Sequence, residues 1–143
     1  MGYADESRQG FIVPQAVALD AIATQTPATK ALFRVLRPCT VYGIHALVTT
    51  AMTVTAAVVD FDRRITPGSD TGRIDQGVGR LTIPTTLAIG NVSYKDVTVD
   101  LNAGDEIVLE LVTASTAGAA VFGMDVVARH EVPANQADMV ASV

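Results

Sequence analysis

Asp70-Thr71-Gly72 is the first stretch of this sequence that could do chemistry, because aspartic proteases present on that tripeptide a carboxylate that shares a proton with its twin. The protease motif follows an apolar strand and precedes Ser or Ala. Here Thr66-Pro67-Gly68-Ser69 precedes it and Arg73 follows, so the tripeptide is expected to be a turn within a loop. Asp60, Asp62, Asp70 and Asp75 fall in or beside the same loop, and hard oxygen ligands of this kind suit Ca2+. The fixed ligand spacing and glycine of a calcium loop are missing, and Arg63, Arg64, Arg73 and Arg80 stand among the acids, ready to pair with them. A loop of such mixed charge is equally suited to docking a protein partner in a fixed electrostatic register.

The remaining reactive side chains are scattered. His45 alternates with Ile44 and Ala46, and His130 stands between Arg129 and Glu131, so neither has a neighbour at zinc-ligand or Ser-His-Asp spacing. Cys39, the single cysteine, excludes an intrachain disulfide and reads as a small buried hydrophobe. Gly77-Val78-Gly79-Arg80 opens a strand instead of a helix, which is the wrong setting for a phosphate-cradling loop, and is expected to be a bend. Three Tyr, four Phe and no Trp leave few platforms for stacking sugars or bases. No catalytic residue, cofactor or metal site is therefore assigned, and the chain is expected not to be an enzyme.

These residues must be positioned by strands. In residues 97–112, Val97, Val99 and Leu101 alternate with polar residues, and so, after a Gly-Asp corner, do Ile107, Leu109 and Leu111 with Val108, Glu110 and Val112. Period two on both sides of a corner means two half-buried strands. Similar patterning predicts strands over 16–24, 29–36, 40–50, 53–62, 78–87, 95–101, 105–113 and 119–131, with turn residues between them and no sustained helical period. The connections are too short for parallel crossovers. The expected fold is all-β: an antiparallel β-sandwich, an eight-stranded jelly roll over residues 16–131, with an N-terminal arm at 1–15 and a C-terminal tail at 132–143. Its inward face is expected to hold Phe33, Val35, Tyr42, Ile44, Val48, Val59, Phe61, Leu81, Ile83, Phe122, Met124 and Val126.

Composition limits the partners. At 143 residues the chain can bury about two thirds of its unfolded surface in one core. With 49% hydrophobic residues, only 17% charged residues and a mean hydropathy of +0.35, some apolar surface is expected to meet a partner. A net charge of −5 offers no basic footprint for nucleic acid. No stretch approaches the ~18 apolar residues of a membrane span, and the first ten residues lack the apolar core of a signal peptide. Synthesis in the cytoplasm, with no nucleic-acid or membrane partner, is the expectation.

The stretch "VDLNAGDEIVLELV" followed by "GAAVFGMDVVARHE" resembles the last strands of small viral jelly rolls, among them the decoration or cement proteins that stud bacteriophage heads. The resemblance covers residues 95–131, and its Gly-Asp corner is shared with TNF-like and carbohydrate-binding jelly rolls. It implies a structural virion protein on the capsid surface, a homotrimer that clamps adjoining major capsid proteins and reaches its neighbours with an arm. Strand addition by "GFIVPQ" would give such an arm backbone hydrogen bonds, and Pro14 would limit its length. The residues expected to face a partner are Phe11, Ile12 and Val13 of the arm, and Arg63, Arg64, Asp70, Arg73 and Asp75 of the 63–77 loop. The competing expectations are a carbohydrate-binding or adhesive jelly-roll module and another accessory head or tail subunit.

Overall fold

A computed structural model describes residues 17–19 and 29–129. The described residues form eight strands: β1 (Val17–Leu19), β2 (Thr29–Arg34), β3 (Cys39–Thr53), β4 (Ala57–Arg64), β5 (Ile74–Ile83), β6 (Val92–Leu101), β7 (Glu106–Thr113) and β8 (Ala117–Ala128). They make two four-stranded sheets, in the orders β1-β8-β3-β6 and β2-β7-β4-β5, and every pairing is antiparallel. Chain-adjacent strands alternate between sheets along most of the chain, which is the jelly-roll topology. The expected all-β sandwich is the fold observed. The proposed arm, the tail and residues 20–28 lie outside the described residues.

Two-residue alternation puts one apolar row from each sheet into the space between them. Ile107, Leu109 and Leu111 of β7 are buried as the sequence pattern requires, and Val59 and Phe61 of β4 and Phe122 and Met124 of β8 join them. Phe61 and Phe122 meet edge-to-face across the sheets, with ring centroids 6.1 Å apart. Cys39 is buried at the end of this core, as expected. Burial pushes its thiol pKa up, with Arg129 pulling partly the other way, so it is poorly suited to act as a thiolate nucleophile.

Tyr42 was expected inward and is instead 49% exposed. The pairing of β3 with both β6 and β8 shifts register between Val41 and Gly43. The irregularity inserts one residue into the alternation, so Val41 and Ile44, three apart, both face the core while Tyr42 turns out. Several strand boundaries also differ from the expected ones. The β3–β4 turn falls at residues 54–56, because Val54 takes a positive φ of 67° and the Thr55 N–H donates to the Thr53 carbonyl at 2.7 Å. That geometry is a tight γ-like turn made without Gly or Pro. Buried Ser115 supports it: its Oγ accepts from the Thr53 N–H at 2.9 Å and lies 2.9 Å from the Thr53 carbonyl. Meanwhile β5 begins at Ile74 and stops before Pro84, so the connection between β4 and β5 shrinks to residues 65–73.

The Gly-Asp corner joins β6 to β7. Gly104 has a φ of 92°, which only a residue without Cβ adopts freely, and its N–H donates to the Val35 carbonyl at 2.8 Å. Asp105 is buried; its carboxylate accepts from the Asn102 N–H at 2.9 Å and closes the turn as an Asx cap does.

Candidate interaction surface

The charged loop folds back over the outer face of the β2-β7-β4-β5 sheet. Outward positions on β4 are Asp60, Asp62 and Arg64; on β7 they are Glu106, Val108 and Glu110, and the register sets Glu110 beside Asp60 and Glu106 beside Arg64. Such a row, left open, would be an ordinary solvated face. Instead Asp62 and Val108 are both fully buried, although neither faces the core between the sheets.

Arg73 makes the closure. Its Nε donates to Asp62 Oδ2 at 2.8 Å, and Nη2 reaches both Asp62 and Glu110. The Gln76 N–H completes Asp62 by donating to Oδ1 at 2.7 Å, so the buried carboxylate has charged and neutral donors on both oxygens. Arg64 ties the other end of the loop. It donates through Nε to Asp70 at 2.9 Å and through Nη1 to Glu106 at 2.8 Å, while the Gly68 N–H donates to Glu106 at 3.3 Å. Arg80 grips buried Asp60 with two donors, at 2.6 and 2.9 Å.

The Asp-Thr-Gly tripeptide is a turn, as expected. The Arg73 N–H donates to the Asp70 carbonyl at 3.1 Å with Gly72 at a φ of 74°, following a similar turn from Thr66 to Ser69. Asp70 is held by Arg64, whose hydrogen bond lowers its pKa. Of the four aspartates proposed as oxygen ligands, the structure gathers Asp62 and Asp75, adds Glu110, and puts the Arg73 guanidinium there; Asp70 is shared between Arg64 and Arg73 Nη1, at 3.5 Å from the latter, and Asp60 is held by Arg80.

The carboxylates of β7 differ in kind. The Arg64 hydrogen bond holds Glu106 below the usual glutamate range, whereas burial and the neighbouring Asp62 push Glu110 above it, with Arg73 opposing. Arg63, also expected in the partner-facing set, points instead to the end of the sandwich, where Nη2 pairs with Asp105 at 2.6 Å and Nη1 donates to the Asp100 carbonyl at 3.4 Å. The loop's outward surface is formed by Ile65, Asp70, Thr71 and Gly72, with Ile74 and Asp75 at the start of β5. Phe11, Ile12 and Val13 lie outside the described residues. His45 faces outward from β3, opposite to Cys39, and its Nδ1 lies 3.7 Å from Asp125, which also accepts from the Tyr94 hydroxyl at 3.1 Å.

Sequence reasoning found the arginines and aspartates of the loop but missed Glu106, Glu110 and Asp105 as their partners. The signal was present in part: Glu106 and Glu110 alternate with apolar residues at period two, which marks them as outward on one face. Which strand lies beside β7 is set by tertiary topology, and no local pattern carries it.

No family model matches the chain, and no curated protein matches it. Among solved structures the chain is similar to that of Eiger TNF from S. frugiperda, at 11% sequence identity over 87% of this chain and 90% of that one, with a TM-score of 0.41.

Proposed function

We propose that the chain is a structural virion protein, a capsid decoration or cement protein that binds the outside of a phage head and stabilises contacts between major capsid proteins. In this reading it is made in the host cytoplasm, acts as a homo-oligomer on the capsid surface and catalyses nothing. The observation that carries the reading is the β4–β5 loop, an exposed rim locked to a rigid sandwich by Arg64 and Arg73. A cement protein must bind without yielding, and a loop already held in place loses little further freedom on docking. Ile65 and Ile74 give that rim apolar area, and Asp70 gives it a fixed charge. The C-terminal strands that resemble small viral jelly rolls supply the framework.

Attachment to particles stripped of the chain tests the proposal. The full chain is expected to rebind them and raise their resistance to heat. Deletion of residues 1–12 is expected to leave the sandwich folded while weakening attachment, and a truncated chain that binds as tightly as the full one contradicts the role given to Phe11 and Ile12.

A further inference from the structure

Arg73 is shared by more charge than it carries. Asp62 is already well supplied: Arg73 Nε and Nη2 donate to its Oδ2, and the Gln76 N–H donates to Oδ1. Among the described residues Glu110 receives only Nη2, the nitrogen that also serves Asp62. One carboxylate oxygen from each of Asp62, Glu110 and Asp75 lies within 4.8 Å of the others, so three acids crowd a single guanidinium. The other bases on this face are engaged elsewhere. β4 places Asp60 opposite Glu110, and Arg80 of β5 holds Asp60. Arg64 is tied to Asp70 and Glu106 at the other end of the loop. β2 sets Arg34 opposite Glu106, with Thr29 opposite Glu110 and Lys30 opposite Leu109.

From this imbalance we infer that the 65–73 loop is an acid-tightened strap: a proton held between Glu110 and Asp62 closes it more firmly, and release of that proton loosens it. Two carboxylates that crowd one cation resist being ionised together. Once protonated, Glu110 stops competing for Nη2 and becomes a hydrogen-bond donor to Asp62, which leaves Arg73 to Asp62 and Asp70. Strain sits in the same place. Gln76, the neutral donor to Asp62, has a φ of 53°, a left-handed conformation costly for a residue with a side chain, and its bond to Asp62 holds it there. The titration of Glu110 has the matching sign. Burial and Asp62 raise its pKa, so the penalty of ionising it is present above the raised value and is shed as pH falls toward the ordinary glutamate range. Arg64 holds Glu106 and Asp70 below their ordinary ranges, so that end of the strap keeps its ion pairs in mild acid and loses them only as pH falls through those lowered values. The strap is therefore tightest in mild acid, looser at neutral pH through Glu110 and looser in strong acid through Glu106 and Asp70. This device belongs to the isolated chain and stands or falls independently of attachment to a capsid.

Hydrogen exchange of the full chain at pH 7.5 and pH 4.5 is the test. Protection factors, which remove the pH dependence of the intrinsic exchange rate, are read at the Gly68 and Gln76 N–H groups, the donors to Glu106 and Asp62. Each is divided by the protection factor of the Val48 N–H of β3, which donates to the Asn91 carbonyl away from the strap. Both ratios are expected to rise about threefold or more at pH 4.5. In Glu110→Gln, whose side chain is neutral at both pH values, they are expected to stay constant. A parent with equal ratios at the two pH values overturns the inference, and so does a folded Glu110→Gln chain that keeps the parent's pH dependence. Should that variant fail to fold, the side-chain carboxyl 13C resonances of the parent decide. Glu110 is expected to titrate above the ordinary glutamate range, with the Asp62 resonance moving at the same pH, and a Glu110 midpoint at or below that range overturns the inference.

Discussion

The two outer faces of this sandwich solve the same problem in opposite ways. Both belong to four-stranded antiparallel sheets whose inner faces share one core, and each carries a distinct set of outward side chains. On the β2-β7-β4-β5 face those groups are charges, and the chain covers them itself by bending residues 65–73 back so that Arg73 and Arg64 meet Asp62, Glu110, Glu106 and Asp70. On the β1-β8-β3-β6 face they are apolar side chains and rings, and among the described residues no loop crosses them. The difference teaches that a strand's outward residues do not by themselves say whether a face is finished. Charges of opposite sign are satisfied within one chain, whereas an apolar row is satisfied only by more apolar surface.

The sharpest way to break the contrast is to unseal the charged face. Arg73→Ala leaves Asp62 buried with only the Gln76 N–H as a donor and sets it close to Glu110 without a cation between them. A loss of about 3–5 kcal/mol in denaturant-unfolding stability is expected, with proteolysis of the 65–73 loop appearing first. If Arg73→Ala unfolds at the parent's midpoint, the loop is not sealed as described.

Glu106 and Glu110, on one strand, give a paired test of opposite sign. Glu106 has its pKa lowered in the folded state, so its contribution is present above its ordinary value and lost as pH falls through the lowered one. Glu106→Gln is expected to cost about 1–2 kcal/mol at neutral pH, a deficit that closes in acid. Glu110 has its pKa raised, so the folded chain gains stability as pH falls through that value and carries a penalty above it. Glu110→Gln is expected to melt at or above the parent temperature at neutral pH, with the two curves converging on acidification. Melting curves from pH 3 to pH 8 check both signs, and two variants that shift in the same direction would erase the distinction.

Two smaller changes probe the turn and the apolar face. Val54 holds a positive φ while 84% exposed, so Val54→Gly removes strain without removing burial and is expected to stabilise by about 1 kcal/mol in thermal unfolding. Gly123→Ala meets only the far end of the His45 ring, a partly exposed side chain that can turn away, so its effect on melting is expected to stay below about 1 kcal/mol.

Much of this was legible in the sequence. The eight strands, the Gly-Asp corner, the buried rows of β4, β7 and β8, and the turn at Asp70-Thr71-Gly72 all follow from local periodicity and turn chemistry, which act over a few residues. Tyr42 was misplaced because an irregularity in the pairing of β3 is fixed by its two neighbours, and the period of the strand alone does not reveal it. The β3–β4 turn was misplaced for a related reason: Val54 is a poor turn former, and the turn is held at Thr53 by Ser115, 62 residues away in sequence. The charged site was half legible. Its arginines and loop aspartates cluster along the chain, but their strongest partners on β7 come together with them only once sheet order is fixed. Val121, Leu47 and Val92 likewise form a row only in the folded register.

The proposal that the chain is a rigid structural part of a larger particle is tested most directly by sedimentation of the native protein from its source followed by electron microscopy of the pellet. The chain is expected in uniform particles, present in fixed ratio to a more abundant shell protein. Recovery of the chain solely as a small soluble species, with particles from the same source lacking it, would overturn that proposal.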